Sequence, residues 1–179
     1  MTSMRYIALL RGINVGGNKK IRMADLRTML EGLGFSNVKT VLASGNVAWD
    51  ADHSDTDAMQ KSVEDAIHAT FGFAVPIIVF PAQYIQTLIE SDPFAGIEVT
   101  KETRLYVTFL PQPTLTTLDI PYDAPTGDFR ILAVNDYTVC SVLTVTKTKT
   151  VDGMKILETE FGKQITTRNW NTVIKLANL

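Results

Sequence analysis

The order in which strand-like and helix-like periodicities follow one another constrains this chain more than any single motif. Residues 4–10 form an apolar run that reads as a buried strand. Met23, Leu26, Met29, Leu30 and Leu33 recur at helical spacing and Gly34 is a natural stop, so a helix is expected over 23–33. Residues 38–42 and 46–49 read as two strands with Ser44-Gly45 at the turn between them. Over 55–71, Met59, Val63, Ile67 and Phe71 share one face of a second helix, for which Ser54 offers a cap. A strand at 75–80 and a short helix at 82–90 complete the half. The order is βαββαβ plus a helix, that of a ferredoxin-like α/β plait.

Residues 91–101, with Asp92-Pro93 and Gly96, change character and mark a boundary. Beyond it come a strand at 104–110, a short helical segment at 114–119, and an acidic, proline-bearing loop at 119–128. A hairpin at 129–134 and 137–143 turns around Asn135-Asp136, residues that tolerate left-handed backbone. A helix is expected from about 151 to 161, closed by Gly162, then a brief extended piece at 164–166. A last helix carries Trp170, Val173, Ile174 and Leu176, capped by Thr166 or Thr167, which places Arg168 in its first turn. The expected fold is therefore α+β, two ferredoxin-like plaits with domains at 1–92 and 93–179.

Charge is unevenly distributed along this order. Arg5, Arg11, Lys19, Lys20 and Arg22 precede the first acid, Asp25, and the last 19 residues hold Lys163, Arg168 and Lys175 with no acid. Both ends are locally basic although the net charge is −2, a balance that argues against a general nucleic-acid coat. One cysteine, Cys140, excludes an internal disulfide framework and fits a reducing cytoplasm, the expected location. No apolar run approaches the roughly 18 residues needed to span a bilayer, so no membrane partner is expected.

The densest candidate chemistry lies in residues 11–20, RGINVGGNKK, between the first strand and the first helix. Gly12, Gly16 and Gly17 permit positive φ and close approach of a ligand, and Arg11, Lys19, Lys20 and Arg22 supply positive charge. A basic glycine-rich connection between strand and helix suits an anion. It is not a nucleotide-hydrolase loop: Gly12 and Gly17 have the required spacing, but Asn18 follows where lysine is needed and Lys20 stands where a hydroxyl is needed.

Three blocks stand out, RGINVGGNKKIRMADLR near the start, LGFSNVKTVLASGNVAW in the first half and TTRNWNTVIKL near the end. They resemble the bacterial domain-of-unknown-function family 1697. The resemblance implies an α/β-plait fold in two parts and carries no activity, substrate or catalytic residue with it. This sequence departs from the family pattern at Ala43, where a polar residue such as glutamine is more usual.

Other groups read as structural. His53 and His68 lack a surrounding ligand cluster, so no metal site and no cofactor are expected. Cys140 lies within a strand and reads as a buried thiol. The expected ligand-binding set is Arg11, Asn14, Gly16, Gly17, Asn18, Lys19 and Lys20, with Ser44 and Asn46 from the adjacent strand end and Arg168, Asn169 and Asn171 from the C-terminal block. The expected ligand is an anionic small molecule or nucleotide. Nucleic acid is less favoured because no aromatic RNA-binding pattern marks the strands. Two alternatives stand beside it. One is a transferase-type enzyme acting by cationic stabilisation, for which no nucleophile or base stands out. The other is a module that docks an acidic protein surface or nucleic acid.

Overall fold

A computed structural model describes residues 2–52, 55–147 and 152–179. Within them the chain is a mixed α+β protein with two antiparallel sheets. It divides into two compact units, Met1–Thr87 with Lys175–Leu179, and Leu88–Ile174.

The first unit contains β1 (Met4–Leu10), α1 (Met23–Gly32), β2 (Ser36–Val41), β3 (Asn46–Ala51), α2 (Thr56–Phe71) and β4 (Ile77–Pro81), followed by the start of α3 (Gln83–Glu90). Its sheet runs β2-β3-β1-β4, with β1 central between β3 and β4. That position explains the unbroken apolar run at 6–10, whose residues are all buried. Tyr6, Ala8 and Leu10 face a core with Val47, Trp49, Ile77 and Val79, closed by Leu26 and Leu30 of α1 and Met59, Val63 and Ile67 of α2. Phe35 stacks on Trp49 at 4.8 Å. The cap of α2 is Asp55, whose carboxylate accepts from Ala58 N at 3.0 Å; Ser54, the cap expected from the sequence, and His53 lie outside the described residues. Arg5 ties this unit's last residues to its first strand: it pairs with Asp50 at 2.7 Å and donates to the Leu179 carbonyl at 3.0 and 2.6 Å.

The second unit contains β5 (Thr103–Phe109), β6 (Tyr122–Asp123), β7 (Phe129–Val134), β8 (Thr138–Thr144), α4 (Gly153–Phe161), β9 (Thr166–Asn169) and α5 (Trp170–Leu176), whose last two residues belong to the first unit. Its sheet runs β6-β7-β8-β5-β9. With the two-residue edge strand β6 set aside, its four strands repeat the spatial order of the first sheet. Val151, where the sequence places the start of the helix ending at 161, is outside the described residues; Asp152 caps α4 by accepting from Lys155 N at 3.1 Å.

Two expectations are corrected here. The helix expected at 114–119 does not form. Pro111 and Pro113 remove backbone donors, and the β-branched Thr114, Thr116 and Thr117 weaken helix propensity. Instead the segment is clamped from α4: the Glu160 carboxylate accepts from the hydroxyls of Thr116 and Thr117 and from the Thr117 amide. The second correction concerns Arg168, which lies in β9 and not in a helix turn. Thr166 and Thr167 pair with Phe109 and Thr108 of β5, a conformation that β-branched residues favour. The helix begins at Trp170, capped by Asn169, whose Oδ1 accepts from Thr172 N at 2.9 Å and from its hydroxyl at 3.0 Å.

The clamp makes a pH prediction. The Thr116 hydroxyl, chiefly, holds the Glu160 carboxyl below its ordinary 4.5; desolvation opposes, and the Thr117 amide and hydroxyl add to the lowering. A carboxyl depressed in the folded state stabilises the fold above its ordinary value, and this stability is lost as pH falls through the folded value. The melting temperature should therefore fall on acidification below 4.5, and Glu160→Gln should make that fall shallower. Equal slopes for the two proteins would mean that the clamp contributes nothing.

Candidate anion-binding loop

Residues 11–20 leave the end of β1 as a held structure. Arg11 N donates to the Pro76 carbonyl at 2.9 Å, and Ile13 is buried under the loop. At the tip, Val15 and Asn18 bracket Gly16 and Gly17, whose φ values are 61° and 80°. Two successive positive φ values are what a type I′ turn requires, which is why glycine occupies both places. Asn18 N closes the turn on the Val15 carbonyl at 3.2 Å, and Asn14 N reaches the Lys19 carbonyl at 3.2 Å.

Asn14 is the knot of this structure. Its Nδ2 donates to the carbonyls of Ile21 at 2.9 Å and Ala43 at 2.7 Å, while its Oδ1 accepts from Ile21 N at 2.9 Å. It does so from the left-handed region, at φ 55°, which asparagine tolerates. Lys19, at φ 47°, donates through Nζ to the Ala74 carbonyl at 2.8 Å.

The Ala43 contact joins the loop to the four-residue turn at 42–45 between β2 and β3. Leu10 N donates to the Gly45 carbonyl at 2.7 Å, and Asn46, fully buried, donates to the Val41 carbonyl at 2.8 Å and Ser44 Oγ at 3.0 Å. The structure thus brings Asn14 beside the turn that carries Ser44 and leads into Asn46, at one end of the first sheet, while Lys19 reaches the Ala74 carbonyl ahead of β4. Two of the expected ligand groups, the amides of Asn14 and Asn46, hold the framework. Gly16, Gly17, Asn18, Lys19, Lys20 and Ser44 are exposed, and Arg11 is half-buried. Arg22 is exposed and pairs with Asp25 at 3.2 Å. The face is basic, and α1 begins only at Met23, after the loop has closed on itself.

Arg168, Asn169 and Asn171 belong to the second unit. Arg168 is half-buried in β9 and donates to Thr166 Oγ at 3.0 Å and the Thr167 carbonyl at 3.1 Å; burial brings its guanidinium down to about 10, so it stays charged at neutral pH. Asn169 is committed to its cap, and Asn171 is exposed. Trp170 packs edge-on against Phe94 at 5.0 Å. A cavity of about 620 Å³ in this unit, between the 118–126 segment and α4, is lined by Leu118, Tyr122, Ile156, Lys155 and Glu160. Sequence reading did not find it, because its walls come from segments far apart in the chain and share no motif.

Cys140 is fully buried in β8, and burial pushes its thiol up to about 12. The expected result is that iodoacetamide at pH 8 leaves the folded protein unmodified and labels it only after denaturation. Rapid labelling of the native protein would contradict this placement. Among the described residues no group of three or more His, Cys, Asp or Glu side chains is placed to hold a metal ion, and no helix is long and apolar enough to cross a membrane.

The architecture defines an α+β protein of two antiparallel sheets, with a basic glycine loop at the end of its first strand. The chain belongs to the family described as "Protein of unknown function (DUF1697)", whose profile matches residues 4–125. The match takes in the loop at 11–20 and the turn at 42–45; the C-terminal TTRNWN block lies beyond it. The fold is shared with a solved structure, that of the conserved bacterial protein SP0830 from Streptococcus pneumoniae, with a TM-score of 0.73 at 22% identity over 99% of this chain and 98% of that one. No curated protein matches the chain.

Proposed function

We propose that the chain is a pair of ferredoxin-like α/β plaits, divided near residue 92, in which the loop at 11–20 of the first plait binds a phosphate-bearing small ligand or nucleotide in the cytoplasm. The observation that carries this reading is the loop itself. Asn14 pins a glycine turn with three hydrogen bonds, and the turn presents backbone amides in the same loop as Lys19 and Lys20, in a stretch of sequence with no acid before Asp25. Successive left-handed residues turn N–H groups outward, and a fixed array of donors binds an anion without first having to be ordered. The strand order shared by the two sheets supports the plait reading.

Arg11 and Lys20 contribute charge to the ligand, Gly16 and Gly17 contribute backbone amides, Asn18 its side-chain amide, and Ser44 a hydroxyl. A thermal-shift screen of nucleotides and sugar phosphates tests the assignment, because a ligand that binds only the folded state raises the melting temperature. For the best hit, Arg11→Ala or Lys20→Ala should weaken binding by about 1.5–3 kcal/mol, the worth of a charge-assisted hydrogen bond. Stability should change little, since exposed cations contribute little to folding. Unchanged affinity in both variants would remove the loop from the site. The same titration with Arg168→Ala tests the expected contribution of the C-terminal cation.

A further inference from the structure

The two turns that meet at this end of the first sheet each carry an aliphatic side chain into solvent. Val15, next to the glycine pair, is 66% exposed, and Leu42, first residue of the neighbouring turn, is 51% exposed. Leu42 also sits at φ 59°, a conformation that a leucine adopts only with strain. Asparagine or glycine would fit this backbone better and water better. The Asn14 side chain, next to Val15, donates to the carbonyl of Ala43, next to Leu42, so the two turns that carry the aliphatic groups are joined, and Lys19 and Lys20 follow Val15 in the same loop.

Single exposed apolar residues are ordinary on any protein surface. Two of them in joined turns, one on strained backbone and one in the loop that carries Lys19 and Lys20, make this end of the sheet amphiphilic. We infer that the anion taken by this loop is a phosphate carried on an aliphatic body, with the lysines meeting the phosphate and Val15 and Leu42 meeting the chain. This rests on the phosphate reading above and narrows it, away from bare sugar phosphates and inorganic phosphate. The same chemistry occurs in soluble alkyl phosphate esters and in the headgroup region of an anionic phospholipid surface.

Calorimetric titration of the full chain with inorganic phosphate, butyl phosphate and hexyl phosphate tests the inference. Each methylene removed from water favours binding, so hexyl phosphate should bind about tenfold more tightly than inorganic phosphate even with partial contact. In the double variant Val15→Ser, Leu42→Asn that preference should vanish while inorganic phosphate binds as before. The variant should fold at least as well as the parent, since asparagine accepts φ 59°. Equal affinities for phosphate and hexyl phosphate in the parent would overturn the inference and leave the anion reading standing. A preference retained by the double variant would overturn it as well, and binding of none of the three phosphates, nor of vesicles, would overturn both. Sedimentation with phosphatidylcholine vesicles, with and without phosphatidylglycerol, identifies the source. Variant-sensitive binding to the anionic vesicles assigns the site to a lipid surface, and hexyl phosphate binding without vesicle binding assigns it to a soluble ester.

Discussion

Gly45→Ala should destabilise the first unit by about 2–5 kcal/mol, the sum of a left-handed penalty and an overpacking penalty. A Cβ at Gly45 would stand 2.6 Å from Leu10 Cβ and 3.0 Å from Ile13 Cδ1, and the backbone there has φ 89°. Neither neighbour can give way: Leu10 and Ile13 are both buried, and Leu10 is held on the far side by the core of its own sheet. The Leu10–Gly45 hydrogen bond fixes the two backbones against each other, so the clash cannot be relieved by sliding the turn outward. Gly16→Ala is the control. Its φ is also positive, at 61°, but nothing lies within 4 Å of the added methyl, so its cost should stay near 1 kcal/mol. Urea denaturation followed by fluorescence of the buried Trp49 reads both. Equal effects of the two substitutions would mean that the turn at 42–45 is not packed against the loop.

Asn14→Ala should cost about 2–3 kcal/mol, because three hydrogen bonds are lost and the Ile21 and Ala43 backbone groups lose their partner. Alanine is also less tolerant of φ 55° than asparagine. The larger consequence is for binding. Without the amide, the loop is no longer tied to the turn, and its donors must be ordered when the ligand arrives. Phosphate affinity should therefore fall although Asn14 need not touch the ligand. Asn14→Asp retains the acceptor for Ile21 N but turns a carboxylate oxygen toward the Ile21 and Ala43 carbonyls, so it should be no more stable than alanine. Hydrogen exchange at the Ile21 amide reports the difference directly: fast in the alanine variant and slower in the aspartate variant.

The first unit was the more legible half of the sequence. Its helices carry strong 3.6-residue spacing at Leu26 and Leu30 and at Met59, Val63 and Ile67, and its central strand is apolar throughout. In the second unit local signals compete. The threonines at 114–117 sit among prolines and follow no period, and the clamp that shapes them comes from Glu160, far away in sequence. The hydroxyls of Thr166 and Thr167 suit a helix cap, and pairing with β5 makes both residues strand instead. At the loop, glycine, asparagine and charge marked the place. Which side chains hold it was not visible, because the carbonyls of Ala43 and Ala74 that fix Asn14 and Lys19 belong to other segments.

We propose that the loop at 11–20 takes phosphate. Titration of the isotopically labelled protein with inorganic phosphate, followed residue by residue by amide chemical shift, tests it most directly. Saturable shifts of the Gly16, Gly17, Asn18, Lys19 and Lys20 amides are expected, with smaller ones at 42–46, all suppressed in Lys20→Ala. Shifts confined to other parts of the chain, or none at the loop up to tens of millimolar phosphate, an affinity of roughly 2–3 kcal/mol or weaker, would contradict it.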